Sequence, residues 1–261
     1  MQNLKIISLS LALLVANNFL SSDSFKYNTY NNHGVVGLVN MPTARFFNNS
    51  VHGITVYDGT PDQKVTMSSN PYDWLEASFF YTNIQGKPYP GFEYQDYKDK
   101  GFNFKIRLKE EGVLPALAIG INDIAGTGLY GSEYIVASYG TDNLDLHFGL
   151  GWGAYNGSKY KFKNPMGYLD ERFKERARVV QIGSGVTGSF QPGRYFSDQY
   201  SSPFFGISYL LKDNLLLKIE HDTTLTSGII EYDIPESQYS LGLDLISNRN
   251  FNLGISFERG N

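Results

Sequence analysis

The chain of 261 residues contains no cysteine. This absence excludes a disulfide framework, a thiolate metal site and a cysteine nucleophile. Because a lipoprotein is anchored through a lipobox cysteine, we do not expect a lipoprotein. Charged residues are sparse, at 18%, and the formal net charge is −4. A nucleic-acid partner is not expected, because phosphate binding needs a surplus of basic side chains.

Long hydrophobic runs are also scarce. One apolar run extends from Ile6 to Val15, just after Lys5. It is too short to cross a bilayer as a helix, and it has the length of a signal-peptide core. We therefore expect residues 1–22 to be a signal peptide for Sec-type export, cleaved after Ala16 or Ser22, rather than a buried N-terminal helix.

The chain has instead a repeated two-residue alternation. In NLDLHFGLGWG, residues 143–153, every second side chain from Leu144 to Trp152 is large and apolar, and those between are polar or small. Such a strand has one apolar and one polar face. Repeats of this pattern behind a signal peptide predict an all-β fold, an antiparallel transmembrane β-barrel of about ten to twelve strands. A soluble secreted β-sandwich is the alternative.

Composition divides the exported chain into two parts. Residues 23–50 form an N-terminal lead and a Pro/Gly turn segment, and residues 51–261 form the barrel domain. The Asn-, Ser- and Tyr-rich stretch 23–32 predicts a disordered or loosely attached lead, and Pro42 predicts a turn or plug-like element over 33–47. Strands are predicted at 51–57, 72–82, 101–110, 113–122, 132–140, 143–153, 179–190, 203–212, 214–222, 237–246 and 250–258.

The predicted connections alternate in length. Tight turns are expected at 140–143 and 212–214, and long polar connections at 58–71, 83–100 and 154–178. Alternating short and long connections are typical of outer-membrane barrels.

Several stretches together resemble one known family. They are GLVNMPTAR at 37–45, PYDWLEASFFYT at 71–82, a long block at 97–138, GLGWG at 149–153, KFKNPMG at 161–167 and FERGN at 257–261. The sequence is similar to the YjbH family, also called GfcD-like. The resemblance implies an outer-membrane β-barrel that assists production or secretion of a capsule-type exopolysaccharide, without a catalytic mechanism. A general outer-membrane porin and a membrane-embedded hydrolase are the alternative functions.

The chain departs from that family in two ways. Relatives are usually longer, with a second barrel-like half, and many carry the lipobox cysteine that is missing here. The chain also ends at Asn261 without the terminal aromatic residue common in barrel proteins. We therefore expect a truncated or fragmentary form of a two-barrel protein, with a single-barrel variant as the alternative.

Five residues are candidates for a lumen-facing binding site. Lys105, Arg107 and Lys109 share the polar face of one predicted strand, and Asp145 and His147 share that of another. They could guide an anionic sugar chain by electrostatic attraction. The favoured interpretation is internal pairing with carboxylates such as those of Glu76, Asp145, Glu220, Asp244 and Glu258, because charges in a narrow, filled barrel must be paired.

A second candidate set lies in the long connection that begins at 154. Tyr160, Lys161, Lys163, Arg172 and Arg176 combine aromatic and basic side chains, which suits contact with a polysaccharide or with lipopolysaccharide phosphates. An ordinary solvated loop is the alternative. DERFKERAR at 170–178 could form a short helix with an acidic start and a basic end.

No catalytic residue, metal site or cofactor is predicted. The four histidines lack ligand spacing, and no serine lies in a recognisable nucleophile motif. The expected location is the bacterial outer membrane. The expected partners are outer-membrane lipid and lipopolysaccharide, an anionic polysaccharide and other exopolysaccharide-pathway proteins.

Overall fold

The computed structural model describes residues 25–47, 50–59, 62–89, 91–177, 190, 192–225, 237–248 and 251–260. The predicted signal peptide and the strand expected at 179–190, apart from residue 190, lie outside them. Within the described residues the chain forms twelve strands. Their bounds are β1 Val51–Asp58, β2 Asp62–Tyr72, β3 Leu75–Tyr89, β4 Phe92–Lys109, β5 Ala116–Ile124, β6 Ser132–Gly140, β7 Leu144–Gly153, β8 Phe162–Lys163, β9 Tyr200–Lys212, β10 Leu215–His221, β11 Tyr239–Asn248 and β12 Phe251–Glu258.

All strands except the two-residue β8 follow one another in a single antiparallel sheet in chain order; β8 pairs with β9 at its side. The predicted all-β antiparallel fold is therefore confirmed. The sheet is not closed by a backbone ladder, because β1 and β12 are its two edges. Side chains connect these edges: the Tyr57 hydroxyl of β1 donates to the Glu258 carboxylate of β12 at 3.1 Å. The sheet therefore curls until its first and last strands lie within side-chain reach.

Two predicted connections are wrong. Most of 58–71 belongs to β2, and 83–100 belongs mainly to the hairpin of β3 and β4. In β2 the polar side chains of Thr66, Ser68 and Asn70 are buried, whereas Val65 and Met67 between them are exposed. Because the buried side of this strand is polar, the sequence contains few apolar residues there and has the composition of a loop.

The polarity of the sheet is inverted relative to that of a soluble protein. The buried strand positions are mainly polar or charged, and many exposed ones are large and apolar. The exposed set includes Ile54, Val56, Val65, Met67, Phe102, Phe104, Ile106, Leu108, Phe148, Phe205, Leu241, Leu253, Ile255 and Phe257. Monomeric soluble proteins rarely expose apolar surface on this scale. Within the described residues, no helix is long and apolar enough to cross a membrane.

The connections differ in length at the two ends of the sheet. The turns after β2, β6 and β9 are short, as predicted for 140–143 and 212–214. The long connections follow β7 and β10, and their described residues meet at the opposite end, where the N–H of Gly157 donates to the carbonyl oxygen of Thr223 and the N–H of Leu225 to that of Ala154. The predicted helix at 170–178 is reduced to a 3₁₀ turn, Glu171–Lys174, capped by the Asp170 carboxylate. The connection also covers Trp152, which is fully buried against Phe196 rather than on the exposed apolar face.

Candidate functional site

Residues 25–47, the N-terminal segment, cover the polar inner face of the sheet. Val35, Val36, Leu38 and Met41 are almost completely buried. Two isolated bridges, Tyr30 with Val36 and Gly37 with Pro42, fold the segment on itself. The prediction of a disordered or loosely attached lead is wrong for residues 25–32, since Phe25, Thr29 and Asn31 are buried. The polar side chains of this stretch lie against the polar face of the sheet and not in water.

Glu220 of β10 holds the centre of the segment. Its carboxylate accepts hydrogen bonds from the backbone N–H groups of Val39, Asn40 and Met41, at 2.9–3.1 Å. The Lys218 Nζ, on the same strand, donates to the carbonyl oxygen of Leu38 at 2.9 Å. Because the segment has no sheet partner here, these side chains satisfy backbone groups that burial would otherwise leave unpaired.

Lys105 of β4 holds the opposite side. Its Nζ lies 3.1 Å from the Glu76 carboxylate and donates to the carbonyl oxygens of Val36 and Arg45, at 3.1 and 2.8 Å. The Glu76 carboxylate also accepts the N–H of Val36 at 2.8 Å. Both Lys105 and Glu76 are 0% exposed. The predicted inward orientation of Lys105 and its pairing with Glu76 are therefore observed.

The other two members of the predicted basic ladder lie elsewhere. Arg107 is half-buried over the Phe46 ring and pairs with exposed Glu110 at 2.9 Å. Lys109 is exposed at the end of β4. The inward phase is lost there, because the β4–β5 register shifts between Arg107 and Lys109. The structure does not bring the three cations together as one lumen-facing ladder.

Asp145 and His147 of β7 face inward, as predicted, and are buried. The Asp145 carboxylate accepts hydrogen bonds from the Nε and Nη2 atoms of Arg45, at 2.8 and 2.7 Å. Arg45 also pairs with Glu111. Burial alone would lower the pKa of Arg45, but its hydrogen bond to Asp145 and the charges of both carboxylates raise it above the ordinary value. Arg45 therefore stays charged, and sequence reasoning missed it.

His147, Asp145 and Ser138 form an arrangement that superficially resembles a hydrolase triad. The Ser138 Oγ lies 2.8 Å from His147 Nδ1, and the Asp145 carboxylate lies 3.5 Å from His147 Nε2. The N-terminal segment contacts two of these three groups. Arg45 pairs with the Asp145 carboxylate, and the Ala44 N–H donates to the Ser138 hydroxyl at 2.9 Å.

Little space remains beside these groups. A cavity lies between the segment and the sheet beside Thr29, Arg45 and Asp145, with about 10 Å³ of space for the centres of water molecules, which is room for roughly one water. Small-ligand pockets are larger, at roughly 300–1,000 Å³. Among the described residues, no three His, Asp or Glu side chains form a group that could hold a metal ion.

The predicted outer-loop residues divide into two groups. Tyr160 is 81% exposed, and Lys161 and Lys163 are also exposed. Arg172 pairs with Asp170 at 2.7 Å, and its hydrogen bonds lower the pKa of the Asp170 carboxyl to about 2. Arg176 instead reaches the fully buried Glu133 carboxylate at 2.7 Å, so it anchors the connection to β6.

Asn164, another residue that the sequence reasoning missed, organises this connection. Its Nδ2 donates to the carbonyl oxygens of Phe173, Phe196 and Asp198 at 2.9–3.0 Å. Its Oδ1 accepts from the Trp152 Nε1 and from the N–H of Met166, both at 3.0 Å. The two N–H bonds of this buried amide are shared among three carbonyl oxygens, and its oxygen links the connection to Trp152 of β7.

The fold defines a class: an all-β protein with an apolar outer face, a polar inner face and an internal segment from its own chain. Comparison with known sequences is more specific. The chain belongs to the YjbH family, described as "Exopolysaccharide biosynthesis protein YbjH", whose profile matches residues 29–261. The resemblance drawn from the motifs is thereby confirmed.

One curated relative is a protein of Escherichia coli K12 named "Uncharacterized lipoprotein YjbH". It is 32% identical over 238 residues, which cover 87% of this chain and 33% of the relative. The chain thus spans about a third of the length of this curated relative. No solved structure matches the chain.

Proposed function

We propose that the chain forms an outer-membrane β-barrel unit that assists exopolysaccharide production or secretion without catalysing a reaction. The inverted polarity of the sheet is the observation that carries this proposal. An apolar outer face costs free energy in water, at roughly 25 cal/mol per Å² of apolar surface, and lipid removes that cost. The exopolysaccharide role rests on the family, whose description concerns exopolysaccharide biosynthesis.

We further propose that the sheet is closed in the membrane. Inside lipid, the free edges of β1 and β12 would leave N–H and C=O groups unpaired at several kcal/mol each. The Tyr57–Glu258 contact already brings these edges within side-chain reach. In the membrane we expect the edges to be joined by backbone pairing, with each other or through further strands.

A filled interior argues against a general porin. The N-terminal segment contacts four charged side chains of the inner face, those of Lys105, Asp145, Lys218 and Glu220. Such a barrel would hold its own polar groups in place and leave no wide aqueous path. The same occupancy supports a non-catalytic role, since the Ala44 N–H of the N-terminal segment already engages the Ser138 hydroxyl.

Extraction and conductance test this proposal together. The protein should require detergent for release from membranes and should migrate differently on gels before and after boiling, as folded barrels do. In planar bilayers it should give little current. Release by salt or carbonate alone would refute the membrane location, and large unselective currents from the intact chain would favour the porin.

The exopolysaccharide role needs its own assay. In a host that depends on the protein, its removal should reduce secreted exopolysaccharide, and re-expression should restore it. The variant Ser138→Ala should restore it equally well. Failure of that variant, together with a detectable hydrolytic activity, would establish an enzyme instead.

A further inference from the structure

The stretch 159–169, here called the basic-aromatic loop, carries four strongly exposed large side chains. Tyr160, Phe162, Tyr168 and Leu169 are 56–81% exposed. Unlike the apolar residues of the sheet, they lie among exposed basic side chains, those of Lys161 and Lys163. Four large side chains exposed within residues 160–169 present more apolar surface than the single scattered hydrophobic residues that are normal on a solvated turn.

The loop is held in a fixed shape. Phe162 and Lys163 form β8, which pairs with Ser201 and Tyr200 of β9. Asn164 follows immediately, with its hydrogen bonds to three carbonyl groups. A surface held in this way loses little conformational entropy when it binds a partner.

The basic residues of the connection are not equivalent. Arg172 and Lys174 are neutralised by Asp170 and Glu171, at 2.7 and 2.8 Å. Within the part of the chain that the structure describes, Lys161 and Lys163 have no carboxylate within ion-pair distance. Their two positive charges are therefore available to an anionic partner.

We propose that the basic-aromatic loop binds the phosphate headgroups of anionic lipid, with Lys161 and Lys163 at the phosphates and Phe162 and Leu169 at the adjoining acyl region. This rests on the proposed membrane location of the sheet. The loop pairs with Tyr200 and Ser201 at the start of β9, beyond the exposed Phe205 of the apolar face. In the proposed orientation this end of the sheet lies at the height of the headgroups. An anionic polysaccharide would match the lysines and the tyrosines, but it offers nothing to the exposed leucine.

Lipid binding by the protein in dodecyl-maltoside micelles, read by native mass spectrometry, tests the proposal. Phosphatidylglycerol should bind more tightly than phosphatidylcholine. A lysine near an anionic lipid surface contributes about fivefold in affinity, so the double variant Lys161→Gln/Lys163→Gln should weaken phosphatidylglycerol binding about 25-fold. Leu169→Ser should weaken both lipids, and soluble glycerol phosphate should not compete.

The matched control is Arg172→Gln/Lys174→Gln, which removes the same two charges from the ion-paired side of the connection. Equal losses in the two double variants would overturn the proposal, because general electrostatic attraction would then suffice. It would also be overturned if the lysine variant lost binding of alginate oligosaccharides but not of phosphatidylglycerol. Failure of the membrane location would be seen separately, as release of the protein from membranes without detergent.

Discussion

The buried Lys105–Glu76 pair offers the sharpest test of how the N-terminal segment is held. Lys105→Met keeps the length of the side chain and removes its charge and its three polar contacts. Glu76 is then left as a buried carboxylate without its cation. Breaking a buried ion pair by removing one partner costs about 3–5 kcal/mol. We expect a loss of that size in the free energy of unfolding.

Lys109→Met is the matched control, since Lys109 lies on the same strand but is exposed. Surface substitutions of this kind change stability by about 0.5 kcal/mol or less. The double variant Lys105→Met/Glu76→Gln should be more stable than Lys105→Met alone, because the neutral amide no longer needs the cation. The double-mutant cycle of Lys105 and Glu76 should therefore give a coupling energy of about 0.5–3 kcal/mol, the range for residues in contact.

Urea unfolding in detergent micelles measures all of these variants. Trp74 and Trp152 are the two tryptophans that report the transition by fluorescence. The reasoning is refuted if Lys105→Met and Lys109→Met unfold with free energies within about 1 kcal/mol of each other, against the expected gap of about 3–5 kcal/mol.

Three further predictions concern the segment and the long connection. Glu220→Gln should cost about 1–3 kcal/mol and should make residues 25–47 more sensitive to protease, because the amide has one acceptor oxygen where the carboxyl group has two, which leaves buried N–H groups unpaired. Unchanged digestion would contradict this. Burial, aided by the Lys64 and Arg259 cations, lowers the pKa of His33 well below its ordinary value. The unfolded chain therefore binds a proton that the folded chain does not, and the free energy of unfolding should fall as the pH drops below about 6.5. The contribution of His33 to this slope is up to about 1.4 kcal/mol per pH unit. The variant His33→Asn should flatten the slope, and the exposed-site control His52→Asn should not. Asn164→Asp removes the amide donor to three carbonyl groups and should open the long connection to protease, whereas an equally resistant variant would show that β8 pairing alone suffices.

The strand faces were predictable because alternation is a local property of the sequence. Ile106 and Phe148 lie on the exposed apolar side and Lys105 and Asp145 on the buried side, as the two-residue period requires. β2 escaped detection because its buried side consists of Thr66, Ser68 and similar residues, whose composition is that of a loop.

The contacts of the interior were not predictable from local pattern. Arg45 pairs with a carboxylate one hundred positions further along the chain, and Lys218 reaches the carbonyl of Leu38. Nothing near Arg45 in the sequence marks it as a buried cation. The polar character of residues 25–32 suggested disorder, because a segment that folds against a polar surface has the composition of one that does not fold.

Accessibility at three positions on two strands, β4 and β7, tests most directly whether the apolar face meets lipid. Since the chain has no cysteine, single spin labels can be placed at Phe104→Cys, Ile106→Cys and Phe148→Cys without background labelling. In reconstituted bilayers, dissolved oxygen should relax these labels more strongly than a water-soluble nickel chelate does. Stronger relaxation by the nickel chelate at all three sites would place this face in water and contradict the account.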